Sequence, residues 1–423
     1  MATPNRVDDV VHMIKADPHR RFVVVSAPGE ADNRAKVTDL LLKCHELASR
    51  KEDYGQYFQQ IVVAYQAITD YFGLPPLNGE LERLQKKLDA LRFHGRKTKV
   101  DWVTSRGEYF MAKILAQLLD AEFVDPRYCI QIKSNGQVTP ETYSLLKARL
   151  SDPEKLYVIP GFYGSDLSGQ VKTFPRGGSD ITAAVVAKAV DASVYENVKD
   201  VPGVAIAHPK LIPGKVQYLD QISYGFMAEL AARGAEVLNW AAVYPVEEAG
   251  IPILFRSIKN PNSEGTWVRL TADHDISAIA GHSESVVFRV HKPGIGDEIG
   301  FGAHALEIFK ELKIAIDHLA TGENDISIVV VSKALNKKDP AEIAHFLGEN
   351  LSAEVEQFPI ATISVVSEKR AGDARFIVDI LKTVAETNSK ILLLSDVGAK
   401  SLVMGVDRDL YQPIIQALYE LLK

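Results

Sequence analysis

Arg176-Gly177-Gly178-Ser179-Asp180 sets a planar cation, two glycines and two helix-capping residues in five consecutive positions. Glycine lets a backbone approach a ligand closely, and the free N–H groups at a helix start favour an anion. Arg176 offers a fork that matches a carboxylate. The same five residues also suit a plain glycine turn whose Ser179 or Asp180 caps the next helix, and the pattern leaves both readings open. Ser105-Arg106-Gly107-Glu108 opens another helix. The plainer role of Glu108 is to complement the helix dipole; it also has the charge to grip a substrate ammonium. Ser26-Ala27-Pro28-Gly29 follows a β-rich run, where a phosphate could sit, although the chain contains no Walker A sequence. Gly161-Phe162-Tyr163-Gly164 is a similar turn. Three other constellations are set aside. Asp273-His274-Asp275 lacks partners at metal-ligand spacing. Gly281-His282-Ser283-Glu284-Ser285 ends in serine where a nucleophile elbow needs glycine. The basic run Arg92 to Lys99 is short and reads as a solvated linker. No metal site built from protein ligands is expected.

These turns need elements to hold them. Arg21 to Ser26 and Tyr157 to Pro160 read as buried strands running into the turns. Helices are expected over Val37 to Leu47, through Leu81, Leu84, Leu88 and Leu91, over Tyr109 to Leu119 and over Ile181 to Val190. Thr3-Pro4 is a good helix start, so the chain is expected to open with a helix reaching about Ile14. Strands alternating with helices imply an α/β layered domain with a mainly parallel central sheet, whose ligands lie beyond the carboxyl ends of the strands. The character changes near residue 285. Two similar stretches follow, with strands at 286–290, 314–318 and 326–331, then at 361–366, 391–394 and 401–406. Each has a helix after its first strand and another at its close, over 340–351 and 412–422. Thr321-Gly322 and Val397-Gly398 form matching turns. A repeated βαββαβ unit is ferredoxin-like. The expected domains are therefore 1–284, 285–352 and 353–423.

The 423 residues are 46% hydrophobic and 24% charged, with a net charge of −7, and the pI is near 5.9. A weakly acidic chain of this kind argues against nucleic acid or an anionic membrane as its main partner. No apolar run approaches the ~20 residues of a membrane helix, and no secretory signal is visible at the start. Cys44 and Cys129 are not closely spaced, and read as reduced core thiols of a cytoplasmic protein.

In order and spacing the motifs resemble those of aspartate kinases, within the amino-acid kinase family. The set comprises Ser26 to Gly29, Lys36-Val37-Thr38-Asp39-Leu40, Ser105 to Glu108, Ile159-Pro160-Gly161-Phe162, Arg176 to Asp180 and Asp200-Val201-Pro202-Gly203-Val204. Gly234 to Leu238 and Asn260-Pro261 ahead of Gly265-Thr266 complete it, and the tandem units resemble ACT modules. The resemblance spans the chain. It implies transfer of the ATP γ-phosphoryl group to the side-chain carboxylate of L-aspartate, the first step towards lysine, threonine and methionine, with Mg²⁺ as cofactor. It implies that Arg176 holds a substrate carboxylate, Glu108 pairs with the α-ammonium, and Thr38 and Ser179 add hydrogen bonds. Asp180 would organise the catalytic cations. Ser26, Gly29 and Gly178 would lie near the phosphates, and Lys199, Asp200 and Lys210 where the nucleotide binds. Gly300, Phe301, Thr321 and Gly322 would contact an effector amino acid, lysine or threonine. Pairing of the ACT modules would give a homodimer or higher homo-oligomer, and the resemblance also implies that 353–423 can interleave with 285–352.

The sequence departs from the family in places. Ala205 stands where an aromatic residue is common, and His208-Pro209-Lys210 replaces Asp-Pro-Arg. Ser367-Glu368-Lys369-Arg370 replaces a glycine-rich turn in the second unit. The family begins with a strand and a Lys-Phe-Gly-Gly-Ser-Ser turn that residues 1–423 lack, so little kinase activity is expected of these residues by themselves. The competing expectations are a non-catalytic amino-acid-binding regulatory protein and a different amino-acid kinase.

Overall fold

The computed structural model describes every residue except Asp32, Asn33, Arg96, Lys97, Arg176, Glu236, Val237, Asn239, Pro261, Asn262, Gly398 and Ala399. Arg176, and parts of the motifs at 234–238, 260–261 and 397–398, therefore lie outside the described residues. Two compact units form: Met1–Gly203 with Leu238–Leu270, and Val204–Val237 with Thr271–Lys423.

The first unit opens with α1 (Pro4–Lys15), with Pro4 at its first turn as expected, although the Thr3 side chain makes no capping bond. Strand β1 (Phe22–Val25) follows, then α2 (Val37–Ser49), α3 (Gly55–Tyr71), α4 (Asn78–His94), α5 (Val100–Thr104) and α6 (Arg106–Leu119). The α4 leucines behave as their spacing predicts: Leu81, Leu84 and Leu88 are buried, and Gly95 in the left-handed region (φ 61°) ends the helix. Helix α3, which sequence reading did not single out, buries Phe58, Ile61, Tyr65 and Ile68 on one face. Next come β2 (Glu122–Phe123), α7 (Glu141–Arg149), β3 (Tyr157–Pro160), β4 (Tyr163–Ser165), β5 (Val171–Thr173) and α8 (Gly178–Ala189). Helix α8 starts three residues before the predicted Ile181, so Ser179 and Asp180 lie inside its first turn instead of preceding it.

Strands β1 and β2 both pair with β3 in parallel, in the order β1-β3-β2. Continuing along the chain are β6 (Tyr195–Lys199), then β7 (Gln221–Ser223) and α9 (Tyr224–Ala232), which belong to the second unit, and α10 (Val243–Glu248), β8 (Ile253–Ser257) and β9 (Thr266–Arg269) of the first. Here β6 pairs with β8 in parallel, and β8 with β9 antiparallel. The expected mainly parallel sheet is thus partly parallel, divided between a parallel sheet and a mixed one.

In the second unit, β10 (Ser277–His291), α11 (Phe301–Glu311), β11 (His318–Thr321), β12 (Asp325–Val331) and α12 (Pro340–Leu351) lead to β13 (Glu354–Ser367). Helix α13 (Ala374–Ala385), β14 (Ile391–Val397), β15 (Ser401–Val406) and α14 (Tyr411–Leu422) complete it. One antiparallel sheet runs β11-β12-β10-β13-β15-β14, a curled sheet consistent with ACT-like regulatory modules. Residue 285 lies inside β10, which pairs along its length with β13 and has an irregularity between His282 and Ser285. The strand predicted from Ile314 begins only at His318, and the buried Ile314 packs in the core instead. Strand β13 starts earlier than predicted, because its first half carries the exposed Glu354, Glu356 and Gln357 and shows no apolar run.

Candidate active site

Adjacent parallel strands deliver two of the chemically marked turns side by side. Val25 ends β1 opposite Pro160 at the end of β3, and the Gly161 N–H donates to the Val25 carbonyl (2.8 Å). Ser26 to Gly29 and Gly161 to Gly164 therefore both leave the carboxyl edge of this sheet, the edge where ligands of open α/β sheets bind.

The first turn folds back on α2 and α6. The Val37 N–H donates to the Pro28 carbonyl (3.1 Å), which holds the start of α2, and with it Thr38, against the turn. Arg34 donates from Nη2 to the Gly29 carbonyl (3.0 Å), bringing a positive charge beside a turn suited to anions. On the other side, α6 approaches so closely that a Cβ on Gly107 would lie 2.8 Å from Cβ of Ala27. Only glycine fits there without displacement. Tyr65 Oη donates to the Gly107 carbonyl (2.7 Å) and completes the seat.

This approach buries Glu108. Its Oε1 accepts from the Ala27 N–H (3.2 Å), while Oε2 is buried with no hydrogen-bond partner among the described residues. Burial pushes the carboxyl up to about 8, against the opposing Ala27 N–H and the charge of Arg106. Arg106 is itself buried, its guanidinium 4.2 Å from the Tyr109 ring centroid and 4.9 Å from that of Trp102. A buried carboxylate oxygen without a partner is costly, and is satisfied by a cationic donor.

The second turn meets α8. A Cβ on Gly161 would lie 2.7 Å from Cβ of Ser179, and one on Gly178 would meet Phe174 at 2.7 Å and Phe162 at 2.8 Å. Phe162 holds a left-handed backbone (φ 76°), a conformation that costs a non-glycine residue energy and recurs at functional turns. Its N–H is anchored on Thr182 Oγ1 (3.0 Å). Ser179 and Asp180 are thereby pressed to the carboxyl end of β3.

Asp180 is then met by one face of β6. Asn197 Nδ2 donates to Asp180 Oδ1 (3.0 Å), and Lys199 Nζ reaches the same oxygen (3.3 Å). Tyr195 Oη accepts from Asn197 Nδ2 (2.6 Å) and donates to the Asp180 main-chain carbonyl (3.4 Å). Burial and the Asp180 charge push the Tyr195 phenol well above its ordinary range, so it remains a donor. Asp200, just past β6, is exposed and sits 3.9 Å from Arg6, a solvent-screened pair.

The remaining sequence candidates belong to the second unit. Lys210 is exposed, and its N–H donates to His208 Nδ1 (3.2 Å). Gly300 precedes α11 with φ 87°, while the Phe301 ring is buried with Lys292 Nζ 5.1 Å from its centroid. Thr321 ends β11, and the Gly322 N–H closes the turn on the Asp325 carbonyl (2.7 Å). The Gly296 N–H bonds to the Glu323 carbonyl (2.9 Å), so the segment leading into α11 and the β11–β12 turn share one end of the sheet.

Residues 1–257 match the amino acid kinase family. The chain belongs to that family. Among relatives of this amino acid kinase, Aspartokinase 3 of Bacillus subtilis (strain 168) is 29% identical over an alignment of 441 residues, covering 99% of this chain and 96% of the relative. The crystal structure of Clostridium acetobutylicum aspartate kinase matches with a TM-score of 0.83 at 28% identity, covering 100% of this chain and 98% of that one. E. coli aspartokinase III, solved in complex with aspartate and ADP, also matches with a TM-score of 0.83. Its identity is 22%, over 99% of this chain and 96% of that one, a likeness of fold.

Sequence reading of this kinase missed Asn197, Tyr195, Tyr65 and Arg34. The β6 trio was within reach, because Tyr195, Asn197 and Lys199 alternate and so share one face of a strand. The tight seat of Gly107 makes a prediction. Gly107→Ala should destabilise the protein by about 1–3 kcal/mol through overpacking against Ala27. A thermal melt lowered by several degrees is expected; an unchanged midpoint would mean that α6 and the Ala27 turn are free to separate.

Proposed function

We propose that this kinase transfers the γ-phosphoryl group of ATP to the side-chain carboxylate of L-aspartate, giving 4-phospho-L-aspartate. The observation that carries the reading is the buried Oε2 of Glu108, without a hydrogen-bond partner among the described residues, beside the carboxyl edge of β1 and β3, on which the Asp180–Lys199 pair also converges. The acceptor carboxylate, with a pKa of ~3.9, is already ionised at neutral pH, so no general base is required. The obstacle is repulsion between that anion and the triphosphate, and the protein's task is positioning and charge neutralisation. Glu108 receives the α-ammonium through Oε2. Arg176 holds a substrate carboxylate, and Thr38 and Ser179 add hydrogen bonds. Asp180 orients Lys199 towards the phosphates. Ser26, Gly29 and Gly178 offer backbone close to them, while Asp200 serves the nucleotide.

Among the described residues, no group of three or more His, Cys, Asp or Glu could hold a metal ion. Magnesium carried in on nucleotide phosphates needs only one or two carboxylates, and Asp180 and Asp200 fit that role. Bound there, it would neutralise phosphate charge.

The second unit supports feedback regulation. The two halves of β10 serve different modules. Ser285–His291 lies between β12 and the start of β13, whereas Ser277–His282 edges the β13-β15-β14 group. We read this as two ferredoxin-like ACT modules that exchange strands, with the kinase domain and modules divided near 284 and 352. A homodimer through these modules fits the reading, as does a reducing cytoplasmic setting for the free, buried Cys44 and Cys129. Among the described residues no helix is long and apolar enough to cross a membrane.

The test is ADP release by the full-length protein with ATP and candidate acceptors. Turnover that depends on L-aspartate is expected; equal turnover with L-glutamate would reject the substrate assignment. Lysine or threonine should bind near Gly300 and the Thr321-Gly322 turn and weaken aspartate binding by a coupling of ~1–3 kcal/mol. Calorimetry showing that neither amino acid binds would leave the modules without this role.

A further inference from the structure

Asp180 is held at two points, not one. Its carboxylate accepts from Asn197 Nδ2 at 3.0 Å, and its main-chain carbonyl accepts from Tyr195 Oη at 3.4 Å. The two donors are tied together by the 2.6 Å bond from Asn197 Nδ2 to Tyr195 Oη. The three hydrogen bonds close a ring that ties Asp180 to β6 through both its backbone and its side chain. Tyr195 and Asn197 are almost fully buried, at 6% and 5% exposure, so water competes little for these bonds. The opposite face of β6 is occupied separately: Glu196 pairs with Arg20 (2.6 Å) and Arg256 (2.8 Å), which stops the strand from rolling.

Donor capacity shows why an amide suits this place. An asparagine NH₂ has two hydrogens, and here one serves a carboxylate and the other a phenol oxygen. An aspartate at 197 would be an acceptor facing an acceptor, and a leucine would fill the space with no donor. Lys199 reaches the same Oδ1, so any swing of the Asp180 carboxylate also moves the Lys199 ammonium.

We propose that Asn197, braced by Tyr195, is a positioning residue for phosphoryl transfer: it fixes the Asp180 carboxylate so that Lys199 is presented in one orientation. The proposal rests on the reading of Asp180 as the organiser of the catalytic cation. It goes beyond that reading by assigning the orientation to a neutral amide that touches neither substrate. Among the described residues, the titratable groups facing Asp180 are the Tyr195 phenol and the Lys199 ammonium, both from β6.

The experiment uses full-length Asn197→Leu, Asn197→Asp, Tyr195→Phe and Asp180→Ala, with kcat and both KM values. Asn197→Leu should lower kcat about 10- to 30-fold and leave the KM values for aspartate and ATP within about threefold. Tyr195→Phe keeps the amide bond and should lose about threefold. Asn197→Asp keeps the shape but sets an acceptor against the Asp180 carboxylate, and should lower kcat at least as much as Asn197→Leu, again with both KM values within about threefold. A merely structural asparagine would disturb kcat and KM together, without this split. If Asn197→Leu does not fold, the isosteric Asn197→Asp decides by the same split. A kcat within threefold of wild type in either folded variant, or a KM that rises as much as kcat falls, overturns the proposal. Asp180→Ala separates the two levels. If it is inactive while Asn197→Leu is normal, only the clasp fails; if Asp180→Ala is itself fully active, the reading of Asp180 fails.

Discussion

Glu108→Gln should lower kcat/KM for aspartate by a factor of about 30 to 5000. Removing one partner of a buried, hydrogen-bonded charge pair costs ~2–5 kcal/mol, and here the substrate ammonium would lose its carboxylate. The pH dependence should change as well. The Glu108 carboxyl is pushed up to about 8 by burial, so in the empty site it is mostly protonated at neutral pH. An ammonium requires the ionised form. Binding aspartate below pH 8 therefore expels a proton, and kcat/KM should climb by up to about tenfold per pH unit from 6 to 8, then level off. The glutamine variant should lose that slope.

Stability moves in the opposite direction. The folded carboxyl titrates near 8, above its ordinary 4.5, so the native state keeps a proton that the unfolded chain releases. Native stability is then fullest below 4.5 and is lost as pH rises through 8. The empty glutamine variant escapes this loss and should melt at a higher temperature than wild type at pH 9, with the two converging below pH 4.5. A wild-type kcat/KM in Glu108→Gln, together with an unchanged pH slope, would remove Glu108 from the substrate site.

The second large effect is expected in turnover. Asp180→Ala should lower kcat by about 100- to 1000-fold, the loss typical of one preorganised electrostatic element, and leave the aspartate KM within about threefold. The physical reason is the 3.3 Å contact to Lys199 Nζ. Without the carboxylate, the ammonium has no fixed place and its neutralising charge is spread over many rotamers. Steady-state kinetics on the folded variant check this. A loss confined to KM would assign Asp180 to ground-state binding and not to the phosphoryl-transfer step.

Much of this was legible from residue types and spacing. The alternation of strands and helices, the leucine face of α4, the Pro4 start of α1 and the turns after β1 and β3 are local matters, governed by periodicity and backbone preference. The residue types at 108, 179, 180 and 199 pointed to charge handling, because few other roles need acids, a lysine and glycines beside helix starts. What these residues could not disclose was their environment. Whether Glu108 caps a helix in water or waits buried for a cation depends on the Ala27 N–H, 81 positions away, and on the missing Cβ of Gly107. The Asn197–Tyr195–Asp180 ring depends on α8 crossing β6, a packing choice that no short window contains. The full extent of β13 escaped notice because its first half carries exposed acids, so its hydrophobic signal stops where its pairing with β10 does not. Local chemistry is written into adjacent residues, whereas burial, orientation and proton affinity arise from contacts between segments far apart in the chain, and only folding brings those together.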